Sequence, residues 1–272
     1  MKRAGVVAVA ALGMGMSGEA GGGASAGLPV ASFASNRLLA TFSAADRAAL
    51  GGAVQLVQLK RKSILWDEGA DLEYSYFPMP GTMISLAIDL EDGSSVEVAS
   101  IGKEGAAGGI VSCGTARAFG RALVQIGGPA FRIPLPALDA AKTRSSAIRS
   151  LFCRYSDALL AQVMQSVACN AAHPMEARLC RWLLTSLDRV GLQDLPLTQA
   201  MLAEMLGVQR TTVNAAIQSL QAQGVIATSR GLLHVVDRAG LERRACECYA
   251  RVEDHFTQSL PEVRPQAVDA TA

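Results

Sequence analysis

Residues 195–236 read LPLTQAMLAEMLGVQRTTVNAAIQSLQAQGVIATSRGLLHVV. Two helical patterns here flank a single glycine. Thr198 can cap a first helix whose inward face is Leu202, Ala203 and Leu206. Gly207 permits a sharp turn, Val208 plugs the interior, and Gln209 can cap a second helix. That helix buries Val213, Ile217 and Leu220 at i, i+4 and i+7, and its other face shows Arg210, Thr211, Asn214, Ala215 and Gln218. A short helix, a glycine turn and a second helix with a polar outer face predict a helix-turn-helix. Two short strands around Ser229-Arg230-Gly231 then predict a wing.

This arrangement suits DNA. A recognition helix lies in the major groove and presents its N-terminal residues to base edges. Arg210 can grip guanine O6 and N7 with two hydrogen bonds, and Asn214 and Gln218 have the amides that address adenine. Helix-start N–H groups, with Thr198, Gln199 and Arg230, suit phosphates. A helical hairpin inside a larger core leaves the polar face unexplained. Residues 174–244 hold eight arginines against six acids, so affinity has to come from local placement and from two copies acting together.

Upstream, from Asn36 to Pro136, the pattern is short and extended. A helical piece starts at Ser43, followed by β-type runs at 54–60, 63–66, 74–78, 82–90, 95–101, 122–126 and 130–134. Ile84, Leu86, Ile88 and Leu90 alternate with Met83, Ser85, Ala87 and Asp89, a period of two with one buried face. Asp92-Gly93 between two such runs predicts a tight hairpin, because both residues tolerate positive φ. Many short strands at even spacing predict a β-roll or jelly roll. Beyond Pro136 the pattern is helical to about Asp188. Ile148, Phe152, Tyr155, Leu159, Val163 and Val167 form one apolar stripe, which fits core packing and pairing with a second copy equally well. His173-Pro174 breaks the helix and reads as a hinge. A further helix follows, with Leu179, Trp182, Leu183 and Leu187 inward and Arg178, Arg181 and Arg189 outward.

Composition narrows the chemistry. The 272 residues carry 25 basic and 24 acidic side chains, which excludes a histone-like or acidic-tail protein. The first histidine is His173, beyond all the strands, so neither a His-ligated metal inside the roll nor a Ser-His-Asp triad can be built there. Glu91, Asp92, Glu97 and Glu104 read as solvated charges beside turns. No catalytic residue and no metal ligand is assigned, and the protein is not read as an enzyme. Cys246-Glu-Cys248 with His255 is a metal or redox pattern, for which partly buried inert thiols are the preferred reading. The six cysteines do not resemble a secreted disulfide framework, which points to reduced thiols in the cytoplasm. Lys2 and Arg3 before an apolar run, Ala4 to Met16, superficially match a secretory signal, but the run is too short to span a bilayer. Gly13-Met-Gly15-Met-Ser-Gly18 spells a dinucleotide fingerprint, yet it opens no amphipathic helix and no acid follows at the required distance.

With EARLCRWLL before it and RGLLHVVDRAGLE after it, the quoted stretch resembles the winged-helix domain of the Crp/Fnr family of bacterial transcription regulators. YSYFPMPGTMISL, LEDGSSVEVASIGKEG and ALVQIGG resemble that family's sensor, so the likeness spans roughly 36–248. It implies an α+β fold: an N-terminal β-roll or jelly-roll sensor domain, a long dimerisation helix and a C-terminal winged helix-turn-helix domain. The corresponding divisions are a disordered N-terminal extension over 1–35, a cyclic-nucleotide-binding-like roll over 36–140, a dimerisation helix over 141–172, a DNA-binding domain over 173–248 and a tail over 249–272. The implied partners are double-stranded DNA, a second copy of the chain as homodimer, and RNA polymerase, with no membrane.

Arg210 falls on the family's guanine-reading arginine. Thr211 stands where glutamate is usual and Ala215 where some members carry a further arginine, so the operator sequence does not carry over. In the sensor, Glu104 and Arg121-Ala122 are the candidate effector-binding residues, by analogy with the ribose-binding glutamate and phosphate-binding arginine of cyclic-nucleotide binders. The spacing around Ile101-Gly-Lys-Glu-Gly105 is altered, so the cyclic nucleotide stays an open candidate and no cofactor is assigned. The N-terminal cysteine set of iron–sulfur members is absent, as is the roll histidine a haem would need. The competing functional reading is a small-molecule sensor whose winged helix serves protein contacts.

Overall fold

The computed structural model describes residues 33–110 and 117–260. Two short helices, α1 (Arg37–Ala40) and α2 (Ala44–Leu50), precede seven strands: β1 (Gln55–Leu59), β2 (Ile64–Trp66), β3 (Tyr74–Pro78), β4 (Met83–Asp89), β5 (Ser95–Ile101), β6 (Arg121–Ile126) and β7 (Gly128–Pro134). They form two antiparallel sheets, ordered β1-β7-β3 and β2-β6-β4-β5. Strand β4 differs from the expected alternation: Met83, Ile84 and Ser85 are all fully buried, so its first half is covered on both faces, and further along Ala87 is buried while Leu86 and Ile88 are half-buried and Leu90 is exposed. The hairpin between β4 and β5 turns at Asp92-Gly93, where Gly93 has φ +81° and the Asp92 carboxylate accepts from the Ser94 N–H at 2.9 Å.

The helical run after the roll is two helices. Helix α3 (Leu135–Arg144) ends at Ser145, whose extended backbone breaks the ladder and whose hydroxyl caps α4 (Ser146–Ala172) by accepting from the Ile148 N–H at 3.2 Å. Helix α4 has 27 residues, about 40 Å of axis. Its apolar stripe changes role along its length. Ile148, Phe152 and Tyr155 are buried in the roll's core, Leu159 and Val163 are half-buried, and Val167 is exposed. His173 caps α4 in extended conformation, Pro174 follows, and α5 (Met175–Val190) runs to Gly191, left-handed at φ +69°.

Three sequence expectations change. The extension assigned to 1–35 is ordered where it enters the described residues: Phe33 is buried and stacks on Phe131 at 5.6 Å. Residues 1–32, with the signal-like run and the glycine decoy, lie outside the described residues. The tail assigned to 249–272 is instead the helix α9 (Cys248–Ser259) as far as it is described. It packs on α4 through Val252, Phe256 and Leu260, with Phe256 edge-on to Tyr155 at 6.4 Å. Burying a phenylalanine is worth about 1.5–3 kcal/mol, which holds α9 down. The third change is Arg189. Expected outside, it is 2% exposed and fills the junction of β5, α4 and α5. Its guanidinium reaches the Glu104 carboxylate at 3.2 Å, the Gln162 side-chain oxygen at 2.7 Å, and Ser100. A buried guanidinium needs this set, since an unpaired one would be very costly.

Candidate nucleic-acid interface

The C-terminal domain is built from α5, β8 (Asp194–Leu195), α6 (Gln199–Leu206), α7 (Arg210–Ala222), β9 (Ile226–Ser229), β10 (Leu232–Val235) and α8 (Arg238–Arg244). Leu179, Leu183, Leu202, Leu206, Val213, Ile217 and Leu220 share one core. Thr198 caps α6, its hydroxyl accepting from the Met201 N–H at 3.3 Å. Gly207 makes the turn at φ +62°, and Arg178 donates to the Leu206 carbonyl at 2.7 Å, satisfying the end of α6. Gln209 occupies the cap position of α7, but its side chain makes no cap hydrogen bond, contrary to expectation. The Thr212 N–H turns back to the Gln209 carbonyl at 3.0 Å, which leaves the Arg210 and Thr211 N–H groups at the start of α7 for an outside acceptor.

The two buried edges of α7 turn its polar face outward. Gln209, Arg210, Thr211, Ala215 and Gln218 are exposed, and Asn214 is half-buried. The wing strands pair Leu232 with Ser229 and Val235 with Ile226, and β10 also pairs with β8, a strand the sequence pattern does not reveal. Arg230 stands exposed at the wing tip with φ +45°, and the adjacent Gly231 lies beside the Thr198 methyl. Thr198 and half-buried Gln199 at the start of α6 thus stand near the wing. The start of α7 also faces the roll: Val208 and Gln209 line a cleft with Asp89, Ser95, Val96 and Arg121.

The sensor residues do not converge. Glu104 accepts from the Gly102 N–H and pairs with Arg189. Arg121 pairs with Asp89 at 2.9 Å and donates to the Ser95 hydroxyl at 3.1 Å. Ala122 is fully buried. The roll does hold a cavity of about 390 Å³, walled by Trp66, Leu72, Leu86, Ile88, Ile101 and Leu159; neither Glu104 nor Arg121 is among its described lining residues. The carboxylates read as solvated divide. Glu91 and Asp92 are exposed, whereas Glu97 accepts from the Trp182 indole N–H at 2.8 Å and from the Ser85 hydroxyl. Burial pushes the Glu97 carboxyl above its ordinary value of 4.5, and these hydrogen bonds and the nearby arginines only partly offset it.

The cysteine pattern also resolves differently. His255 pairs with Asp157 at 3.0 Å and is not the thiols' partner. Cys246 and Cys248 instead meet Cys169 and His173 at the end of α4. Sequence reasoning missed this grouping. The available signal was Cys169-x-x-x-His173, one helical turn on one face, ahead of Cys246-x-Cys248.

Comparison with known proteins bears on the whole arrangement. Residues 177–244 match the family model described as the Crp-like helix-turn-helix domain. No curated protein matches the chain in sequence. Among solved structures, FixK2 from Bradyrhizobium japonicum is 16% identical with a TM-score of 0.62, covering 71% of this chain and 98% of its own. A transcriptional regulator of the Crp/Fnr family from Eubacterium rectale is 15% identical with a TM-score of 0.58, over 75% of this chain and 94% of its own. The c-di-GMP responsive global regulator CLP of Xanthomonas campestris is 13% identical with a TM-score of 0.58, over 71% and 99%. The fold is that of solved Crp/Fnr-type transcription regulators, with a β-roll, a long helix and a Crp-like helix-turn-helix domain.

Proposed function

We propose that the protein is a transcription regulator that binds specific DNA sites as a homodimer, with the β-roll sensing a signal that alters its DNA affinity. The observation that carries this reading is the exposed polar face at the start of α7. Arg210, Thr211, Asn214, Ala215 and Gln218 are the base-facing residues, and Thr198, Gln199, Gln209 and Arg230 the phosphate-facing ones. Pairing of two copies runs along α4, where Leu160, Met164 and Val167 are 57%, 64% and 66% exposed at spacings of four and three. Two copies supply the affinity that one mildly basic domain lacks, and they call for a two-fold symmetric site. RNA polymerase is the further protein partner in this reading, and the cytoplasm its place of action. No helix among the described residues is long and apolar enough to cross a membrane.

The signal is read in the roll. Its cavity is largely apolar, with exposed Arg117 as the charged side chain among its described lining residues, and Arg121 and Glu104 are engaged by protein groups elsewhere, so it suits a small, mainly apolar ligand better than a cyclic nucleotide held as in the family's nucleotide binders. The test is selection from random duplex oligonucleotides by the purified full-length chain. The expected result is a two-fold symmetric motif whose binding weakens steeply with salt. Recovery of no motif would favour a winged helix that serves protein contacts.

A further inference from the structure

We propose that Cys169, His173, Cys246 and Cys248 form a binding site for one zinc(II) ion, which clamps helix α9 and the α8–α9 turn to the hinge at the end of α4. The four side chains come from segments more than seventy residues apart, yet one ligand atom from each lies within 4.8 Å of every other. The Cys169 and Cys246 sulfurs are 3.5 Å apart, and the Cys248 sulfur is 3.5 Å from His173 Nδ1. A tetrahedral zinc with Zn–S near 2.3 Å and Zn–N near 2.0 Å holds its ligand atoms roughly 3.5–3.8 Å apart. Ligands bound to different irons of a sulfide-bridged cluster stand farther apart than ligands sharing one ion, so the spacing selects a mononuclear site. Three thiolates with one imidazole is a common closed structural zinc set.

The surroundings separate this site from a group of inert thiols. His173 Nε2 lies 3.2 Å from the Glu247 carboxylate. A proton held there leaves Nδ1 as the free lone pair, aimed at the sulfurs, which is the carboxylate–histidine support that metal sites use to fix a ligand ring. A Cys169–Cys246 disulfide would account for two sulfurs and leave this orientation of His173 without a role. Arg181 Nε donates to the Cys169 sulfur at 3.2 Å and Gln165 donates to the Cys248 sulfur at 3.0 Å. Three thiolates around a dication leave one net negative charge, and Arg181 offsets it. Binding releases the three thiol protons to solvent and needs no oxidant or reductant. Cys169, Cys246 and Cys248 are buried, while the half-buried His173 leaves one side open for entry. Cys246 and Cys248 lie just beyond the matched helix-turn-helix segment 177–244, at the start of α9, so the site fastens that helix to the end of α4.

The test uses the full-length chain, without a polyhistidine tag, purified under reducing conditions without chelator. Elemental analysis is expected to give about one zinc per chain. After metal removal, cobalt(II) titration is expected to saturate at one equivalent, with the intense visible bands of a tetrahedral thiolate complex, and zinc should abolish them. Cys246→Ser and His173→Ala are expected to lose the bands, whereas Cys153→Ser, an exposed thiol elsewhere on α4, keeps them. The wild-type cobalt spectrum stands even where a ligand variant fails to fold. A folded wild-type chain that gives no tetrahedral bands, bands that survive both ligand variants, a sulfide-containing iron chromophore, or a purified chain with Cys169 and Cys246 joined in a disulfide would each overturn the proposal.

Discussion

Arg189 on α5 and Glu104 beyond β5 meet inside the protein at 3.2 Å, so the roll and the DNA-reading domain share a buried ion pair. Arg189 also holds Ser100 on β5 and Gln162 on α4. One guanidinium therefore ties the roll, the long helix α4 and α5 together. Arg189→Met should destabilise the fold by about 3–5 kcal/mol, because Glu104 is left with an unpaired, largely buried carboxylate. Glu104→Gln should cost less, since an amide oxygen can still accept. Urea unfolding of both variants checks the order, and an unchanged midpoint in Arg189→Met would contradict it.

Tyr155 is the second link between roll and long helix. Its buried hydroxyl accepts from the Ala106 N–H and donates to the Ala106 carbonyl, both at 3.0 Å. Tyr155→Phe leaves two buried backbone groups unpaired, an expected loss of about 1–3 kcal/mol in unfolding free energy. Hydrogen exchange at the Ala106 amide should rise in the same variant.

Glu97 gives a pH dependence with a definite sign. Burial raises its folded pKa above the ordinary 4.5, so the folded state holds the proton more tightly than the unfolded chain. Its contribution to stability is complete below 4.5 and is lost as pH rises through the folded pKa. Glu97→Gln keeps an acceptor for Trp182 and removes the titration. The variant's urea midpoint should therefore fall less than that of the wild type as pH rises from about 4.5 toward neutrality. Parallel curves would dismiss the effect.

Leu160, Met164 and Val167 predict where two copies meet. Met164→Glu should shift the chain from dimer to monomer in light scattering at micromolar concentration, with the fold retained by circular dichroism. Cys153→Glu, exposed earlier on the same helix, should have little effect.

Much of this was legible in residue order. The strand runs at 74–78 and 95–101, the Asp92-Gly93 turn and the Gly207 turn follow from local pattern, because period and backbone permission act over a few residues. What was not legible depends on distant partners. Arg189 sits at a polar position of its helix, and only the arrival of Glu104 and Ser100 explains its burial. Cys169 and Cys246 meet across 77 positions, and His255, near Cys248 in sequence, turns away to Asp157. The stripe Val252, Phe256, Leu260 was readable as a helix face at spacings of four. Only its packing on α4, which residue order does not show, makes it part of the core and not a tail.

The claim that Arg210 reads a base is tested most directly by comparing duplex affinities of the wild type and Arg210→Ala, on the selected site and on a scrambled one, at one fixed salt concentration. The account predicts a loss of about 1–3 kcal/mol on the selected site and a far smaller change on the scrambled duplex. Equal losses on both, or no loss on either, would contradict it.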